Sequence, residues 1–204
     1  MARSLRASLT AARVTPVLLA LSIAISVALA WKVHSLRAYV VALHNDTSLA
    51  IGTHVSPISA HNLDDSPATV EYGPSVPTVL YIFRPGCGWC QRNRNSFNEL
   101  CSQVSGKYRV VALSLTRDED LPRFVRENHM TIPVLADIQP MTVTEYRLGG
   151  TPTTIVVSTQ GTVLKRWVGA YNEQLKREIE AYFQVHLPRL LDLPPIADGL
   201  WMAL

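Results

Sequence analysis

The chain has 204 residues, 48% of them hydrophobic, and a formal net charge of +3. That length accommodates one folded domain with a real core plus an appendage. The basic excess is confined to the first 44 residues, which hold five of the 19 Lys/Arg and none of the 16 Asp/Glu; beyond them acids outnumber bases, which removes the electrostatic case for a nucleic-acid-binding surface.

Residues 1–13 include Arg3, Arg6 and Arg13, and residues 14–31 run without a charge. A basic start followed by such an apolar run is the pattern of a membrane-crossing helix or of a signal peptide. Ala28-Leu29-Ala30 has a small-x-small form that a signal peptidase could accept, but Val33, Leu36, Val40 and Leu43 continue past it at helical spacing. The expectation is a retained single-pass transmembrane anchor in the inner (cytoplasmic) membrane, with a cytoplasmic N-terminus. A stalk or linker over 32–53 then leads to a domain on the periplasmic or extracytoplasmic side.

Beyond a polar segment, Ser56–Ala60 and Ala68–Tyr72 read as strands joined by the turn Asp64-Asp65-Ser66-Pro67. Pro77–Phe83 is a near-continuous apolar run, as expected of a central strand buried on both faces. Phe97, Leu100, Cys101 and Val104 then recur at helical spacing. Tyr108–Leu115 predicts a second buried strand, and Thr116-Arg117-Asp118-Glu119 a capping box opening a helix toward His129. A short strand over Ile132–Ala136, a short helix over Met141–Tyr146 and strands over Thr153–Ser158 and Val163–Val168 follow. Asn172 caps a last helix with Leu175, Ile179, Tyr182 and Phe183 on one face, ended by Pro188. The order is mixed α/β with a closing antiparallel hairpin.

Two of the three cysteines, Cys87 and Cys90, lie in "RPGCGWC", where the central strand passes into the helix. A thiolate at the first turn of a helix faces unpaired N–H groups and the positive end of the helix dipole, which lowers its pKa. Cys87 is placed for that effect. Cys90, one turn deeper, is placed to attack a mixed disulfide formed on Cys87. An inert disulfide closing so short a loop would add little stability. A zinc site would want a second Cys/His pair, and no H-x-H or H-x(3–5)-H spacing exists; copper with His129 or His186 would rest on a lone histidine. Arg84 and Arg92 add positive potential nearby, although a lone surface arginine is commonly just solvated. Trp89 reads equally as a substrate-facing contact or as a ring over the helix start. Cys101 shares the apolar helix face with Phe97 and Val104 and reads as a small buried hydrophobe.

Residues 54–185 resemble the TlpA/ResA-like, membrane-anchored family of thioredoxin-fold thiol-disulfide oxidoreductases, and the domain is expected to span 54–187. The likeness is carried by "VLYIFRPGCGWC", by "GGTPTTIVVSTQGTVLKRWVG", and by the intervening "VVALSLTRDEDLPRFVRENHMTIPVLAD", which is similar to the insertion that separates this branch from plain thioredoxin. The resemblance implies a thioredoxin-like fold, a central mixed sheet flanked by helices. It also implies a cis bond before Pro152, with Thr151 and Pro152 beside the cysteine pair as the docking edge for a substrate peptide. Read without the family, Pro152 is an ordinary trans proline starting a strand. The chain departs from thioredoxin where that protein has an aromatic residue directly before the first cysteine and an acid six residues before it. Gly86 and Tyr81 stand there, so the acid's proton-relay role does not carry over.

These readings converge on an exported, membrane-tethered thiol-disulfide oxidoreductase acting on protein thiol or disulfide substrates, as a reductant, without metal or organic cofactor. Recycling would need a separate redox partner. The alternative is a copper(I) metallochaperone holding its ion on the two thiolates. A thiol peroxidase would need one peroxidatic cysteine with a nearby hydroxyl, a pattern absent from "RPGCGWC". Residues 188–204 form a C-terminal tail.

Overall fold

The structure, a computed structural model, describes residues 19, 21–35 and 49–191. The chain divides into two units, Met1–Ser48 and Leu49–Leu204. In the first, residues 21–35 are helical (α1), with Leu21, Ile23, Ile25, Val27 and Leu29 exposed. The anchor expected over 14–31 lies partly outside the described residues, and among the described residues no helix is long and apolar enough to cross a membrane.

The second unit is built on a seven-stranded mixed sheet of β1 (Ile58–Asn62), β2 (Pro67–Val70), β3 (Thr78–Phe83), β4 (Arg109–Ser114), β5 (Val134–Ala136), β6 (Thr153–Val157) and β7 (Val163–Val168), in the order β2-β1-β5-β4-β3-β6-β7. The strands β3, β4 and β5 run parallel, whereas β6 and β7 on one side and β1 and β2 on the other are antiparallel additions. Every residue of β3 is buried, because both of its faces are covered. Alternation sends Val79, Tyr81 and Phe83 toward one core, with Phe97, Leu100, Phe124, Ile179 and Phe183. Leu80 and Ile82 face the other core, with Val111, Leu113, Ile155 and Tyr146.

The first core is roofed by α2 (Gly88–Val104), α3 (Asp120–Glu127) and α5 (Glu173–Phe183), and the second lies under α4 (Pro140–Glu145) and its flanks. Asn172 caps α5, its side chain accepting from the N–H groups of Gln174 and Leu175 at 3.2 and 3.0 Å. Two helix boundaries differ from the sequence reading. Thr116 does not cap α3: its Oγ1 turns to Asp118 Oδ2 at 3.1 Å and its carbonyl accepts from Ser114 Oγ, so the chain is still leaving β4 there. The helix begins at Asp120 with no side-chain cap on Glu119. Nor does Pro188 stop α5, which ends at Phe183, where Gln184 adopts left-handed backbone at φ 56°.

The folded unit starts at Leu49, within the stretch read from sequence as linker. Leu49 and Val55 are buried, and Gly52, Thr53 and Val55 hydrogen-bond to Val163 and Gly161. The tail is described to Leu191. It lies along α2, Ser96 Oγ donating to Pro188 O at 3.0 Å and Leu191 N–H to Arg92 O at 3.1 Å.

Candidate active site

The buried strand β3 delivers the chain to Arg84-Pro85-Gly86, where a turn closed by Cys87 N–H on Arg84 O, at 3.1 Å, reverses it into α2. Cys87 is the N-cap of that helix, in extended backbone. Its Sγ accepts the Cys90 N–H at 3.1 Å, the place a serine or aspartate oxygen takes in an ordinary cap. No acidic residue stands in the first turn of α2 to oppose a negative charge on that sulfur. Cys87 and Cys90 are joined by a disulfide across a Cα–Cα separation of 5.2 Å. Exposure separates the two: Cys87 is half-buried, whereas Cys90 is 2% exposed and sits in the first core.

The loop between α4 and β6 comes back to the pair. The Thr151–Pro152 peptide is cis, and Thr151 O lies 3.5 Å from Cys87 Sγ. A disulfide sulfur has no proton to donate, so this is a contact and not a hydrogen bond in the oxidised form. Pro152 is buried and its carbonyl is taken by Gly169 N–H at 2.7 Å, while Thr153 Oγ1 donates to Gly150 O at 2.7 Å. The loop is thereby pinned to its own sheet edge, with half-buried Thr151 left facing the sulfur. Trp89 stands out from the helix start at 52% exposure, and the Arg92 guanidinium lies 5.4 Å from the centre of its ring.

Behind the pair lies a polar group that the sequence reading missed. Asn93, one turn after Cys90, is fully buried. Its Oδ1 accepts the Tyr171 N–H at 2.9 Å and its Nδ2 donates to the Tyr81 hydroxyl at 3.3 Å. The Tyr171 hydroxyl shares a hydrogen bond with Thr154 Oγ1 at 2.8 Å. The helix start is thus tied to β3, β6 and the β7–α5 loop. The available signal was position: Asn93 follows Cys90 by three residues, on the face that Phe97 and Leu100 bury.

Cys101 lies on α2 against the first core, where burial pushes its thiol up to about 12. His186 contacts Glu180 at 3.3 Å, and among the described residues no three His, Cys, Asp or Glu gather as a metal site.

This geometry is that of a thioredoxin-like domain, and the sequence matches the AhpC/TSA family over residues 51–166, more than half of its length. The chain belongs to that family. It is 27% identical over 104 residues to the thiol-disulfide oxidoreductase ResA of Bacillus cereus, an alignment spanning 50% of this chain and 58% of that protein. The AhpC/TSA fold seen here superposes on a thiol:disulfide interchange protein DsbE from Chlorobium tepidum with a TM-score of 0.57 at 21% identity, covering 67% of this chain and 99% of the other. It also superposes on the thioredoxin domain of a thiol-disulfide oxidoreductase from Bacteroides vulgatus with a TM-score of 0.54 at 17% identity, with the same coverage.

Proposed function

We propose that the protein is a thiol-disulfide oxidoreductase that exchanges disulfides with protein substrates through Cys87 and Cys90. The observation that carries this reading is the asymmetry of the pair: the half-buried Cys87 sulfur receives a helix N-terminal N–H at 3.1 Å, and its partner is sealed in the core. A backbone donor at that place favours thiolate over thiol, which suits Cys87 to attack and Cys90 to resolve. In the reducing direction the Cys87 thiolate attacks a substrate disulfide, expelling one substrate sulfur as thiolate. Cys90 then loses its proton and attacks Cys87, the second substrate sulfur leaves with the electrons of the mixed disulfide, and the Cys87–Cys90 bond remains. Thr151, with Pro152 behind it, forms the edge along which an extended substrate backbone lies, and the exposed Trp89 ring supplies an apolar contact.

The direction we assign is reduction in an exported compartment, with the N-terminal segment as a membrane tether and a separate redox partner restoring the dithiol. The uncharged run over 14–31 after three arginines supports the tether. Equilibration of the full chain with glutathione buffers tests the activity and its direction together. A reductant should settle near the roughly −270 mV of thioredoxin, whereas about −120 mV would mark a strong oxidant and reverse the assignment. Failure to equilibrate, with tight copper(I) retention, would replace the reading with the carrier alternative. Cell fractionation tests the tether: the protein should sediment with membranes, and a mature N-terminus near Trp31 would exclude it.

A further inference from the structure

The proposed exchange requires Cys90 to release a proton when it attacks and regain one when it is expelled, although it is 2% exposed. A cavity abuts it between α2, β3 and the end of α3. Its lining includes Tyr81, Cys90, Arg94, Asn98 and Asn128 among apolar side chains, and no Asp, Glu, His or Lys. It leaves about 10 Å³ for the centre of a water molecule, close to what one water needs.

Two polar groups at this cavity have bonding capacity to spare. Asn128 is 5% exposed; its Nδ2 donates to Phe124 O at 2.7 Å, but its Oδ1 has no hydrogen-bond partner. A buried amide oxygen left unpaired costs about 1–3 kcal/mol, and a water donor would remove that cost. The Tyr81 hydroxyl accepts from Asn93 Nδ2, so its own proton is bonded to no described acceptor. An acceptor without a donor and a donor without a described acceptor therefore border a water-sized space beside Cys90.

We propose that this cavity holds one water, donating to Asn128 Oδ1 and accepting from the Tyr81 hydroxyl, and that this water carries the Cys90 proton to and from solvent during exchange. The inference rests on the oxidoreductase reading above. As Cys90 attacks, its S–H bond breaks and its electron pair forms the bond to Cys87. The proton passes to the water, which releases another toward solvent beside the half-buried Arg94. Expulsion of Cys90 runs the same path in reverse. Burial raises the Tyr81 hydroxyl above the ordinary tyrosine value, so it stays protonated and acts as a donor that positions the water.

The test uses the reduced full chain in a Cys101→Ala background and the aromatic disulfide 5,5′-dithiobis(2-nitrobenzoate) in stopped flow. Attack by Cys87 releases a first nitrothiolate, and resolution by Cys90 a second. Tyr81→Phe keeps the ring that stacks on Phe97 at 3.7 Å, and Asn128→Leu fills the cavity. Both variants should keep the first phase and slow the second roughly tenfold or more near neutral pH, the loss of an assisted proton transfer. The slowing should vanish at alkaline pH, where hydroxide takes the proton directly. Should Asn128→Leu fail to fold, Tyr81→Phe alone decides. A second phase like wild type, or a slowing that is equal in both phases or independent of pH, overturns the proposal. A wild-type protein that releases no second nitrothiolate removes the oxidoreductase reading itself, and this proposal with it.

Discussion

Replacing Asn93 by alanine should destabilise the domain by about 2–4 kcal/mol, although the residue touches no surface. The buried Tyr171 N–H would lose its acceptor at 2.9 Å, which costs about 1–3 kcal/mol when nothing replaces it. The bond to the Tyr81 hydroxyl at 3.3 Å adds about 1 kcal/mol. Against a typical total of about 5–15 kcal/mol that is a large fraction. Urea unfolding of the oxidised protein at neutral pH, followed by tryptophan fluorescence, measures it. Tyr81→Phe should cost about 1 kcal/mol, and the double variant should show coupling of about 0.5–1.5 kcal/mol, because both changes remove the same bond. A loss under about 0.5 kcal/mol for Asn93→Ala, or strict additivity in the pair, would refute the claim that this network fastens the helix start to the sheet.

The Cys101 thiol gives a pH dependence. Its folded-state value is raised from 9.0 to about 12, so stability present below pH 9 should decline as pH climbs from 9 toward 12, where only the unfolded chain ionises. Urea midpoints at about pH 8 and about pH 10.5 should fall less in Cys101→Ala than in wild type, and equal falls would contradict the assignment. Gly161 has φ +78° and a Cβ there would lie 2.9 Å from Val55 O, so Gly161→Ala should cost about 1–2 kcal/mol and lower Tm by several degrees. An unchanged Tm would show that this turn is not held as described.

Much of the fold was legible because burial writes itself into the sequence as period. The unbroken apolar run of β3 identified a strand covered on both faces, and the spacing of Phe97, Leu100 and Val104 identified the helix behind the cysteines. The cap at Asn172 was readable because side chain and backbone there are neighbours along the chain. The Thr116 box was misread since an S/T-x-x-E pattern does not reveal whether the chain has finished leaving a strand, and Ser114 and Asp118 compete for Thr116. Gln184 carried no signal, as any polar residue can occupy a left-handed C-terminal position that glycine usually marks. The cysteine pair announced itself by spacing. Asn93 did not, because its partner Tyr171 lies 78 residues away, and Asn128 did not, because the cavity it borders is assembled from residues far apart in the chain.

The central claim is that Cys87 attacks and Cys90 resolves, and covalent trapping in cells tests it most directly. With the resolving thiol removed, Cys90→Ala should hold substrate proteins on Cys87 as mixed disulfides, seen on non-reducing gels and located by mass spectrometry. Cys87→Ala should trap far less, since Cys90 is 2% exposed, and Cys101→Ala should behave as wild type. Equal trapping by the Cys87 and Cys90 variants, or trapping by neither in cells where the wild type is active, would contradict the account.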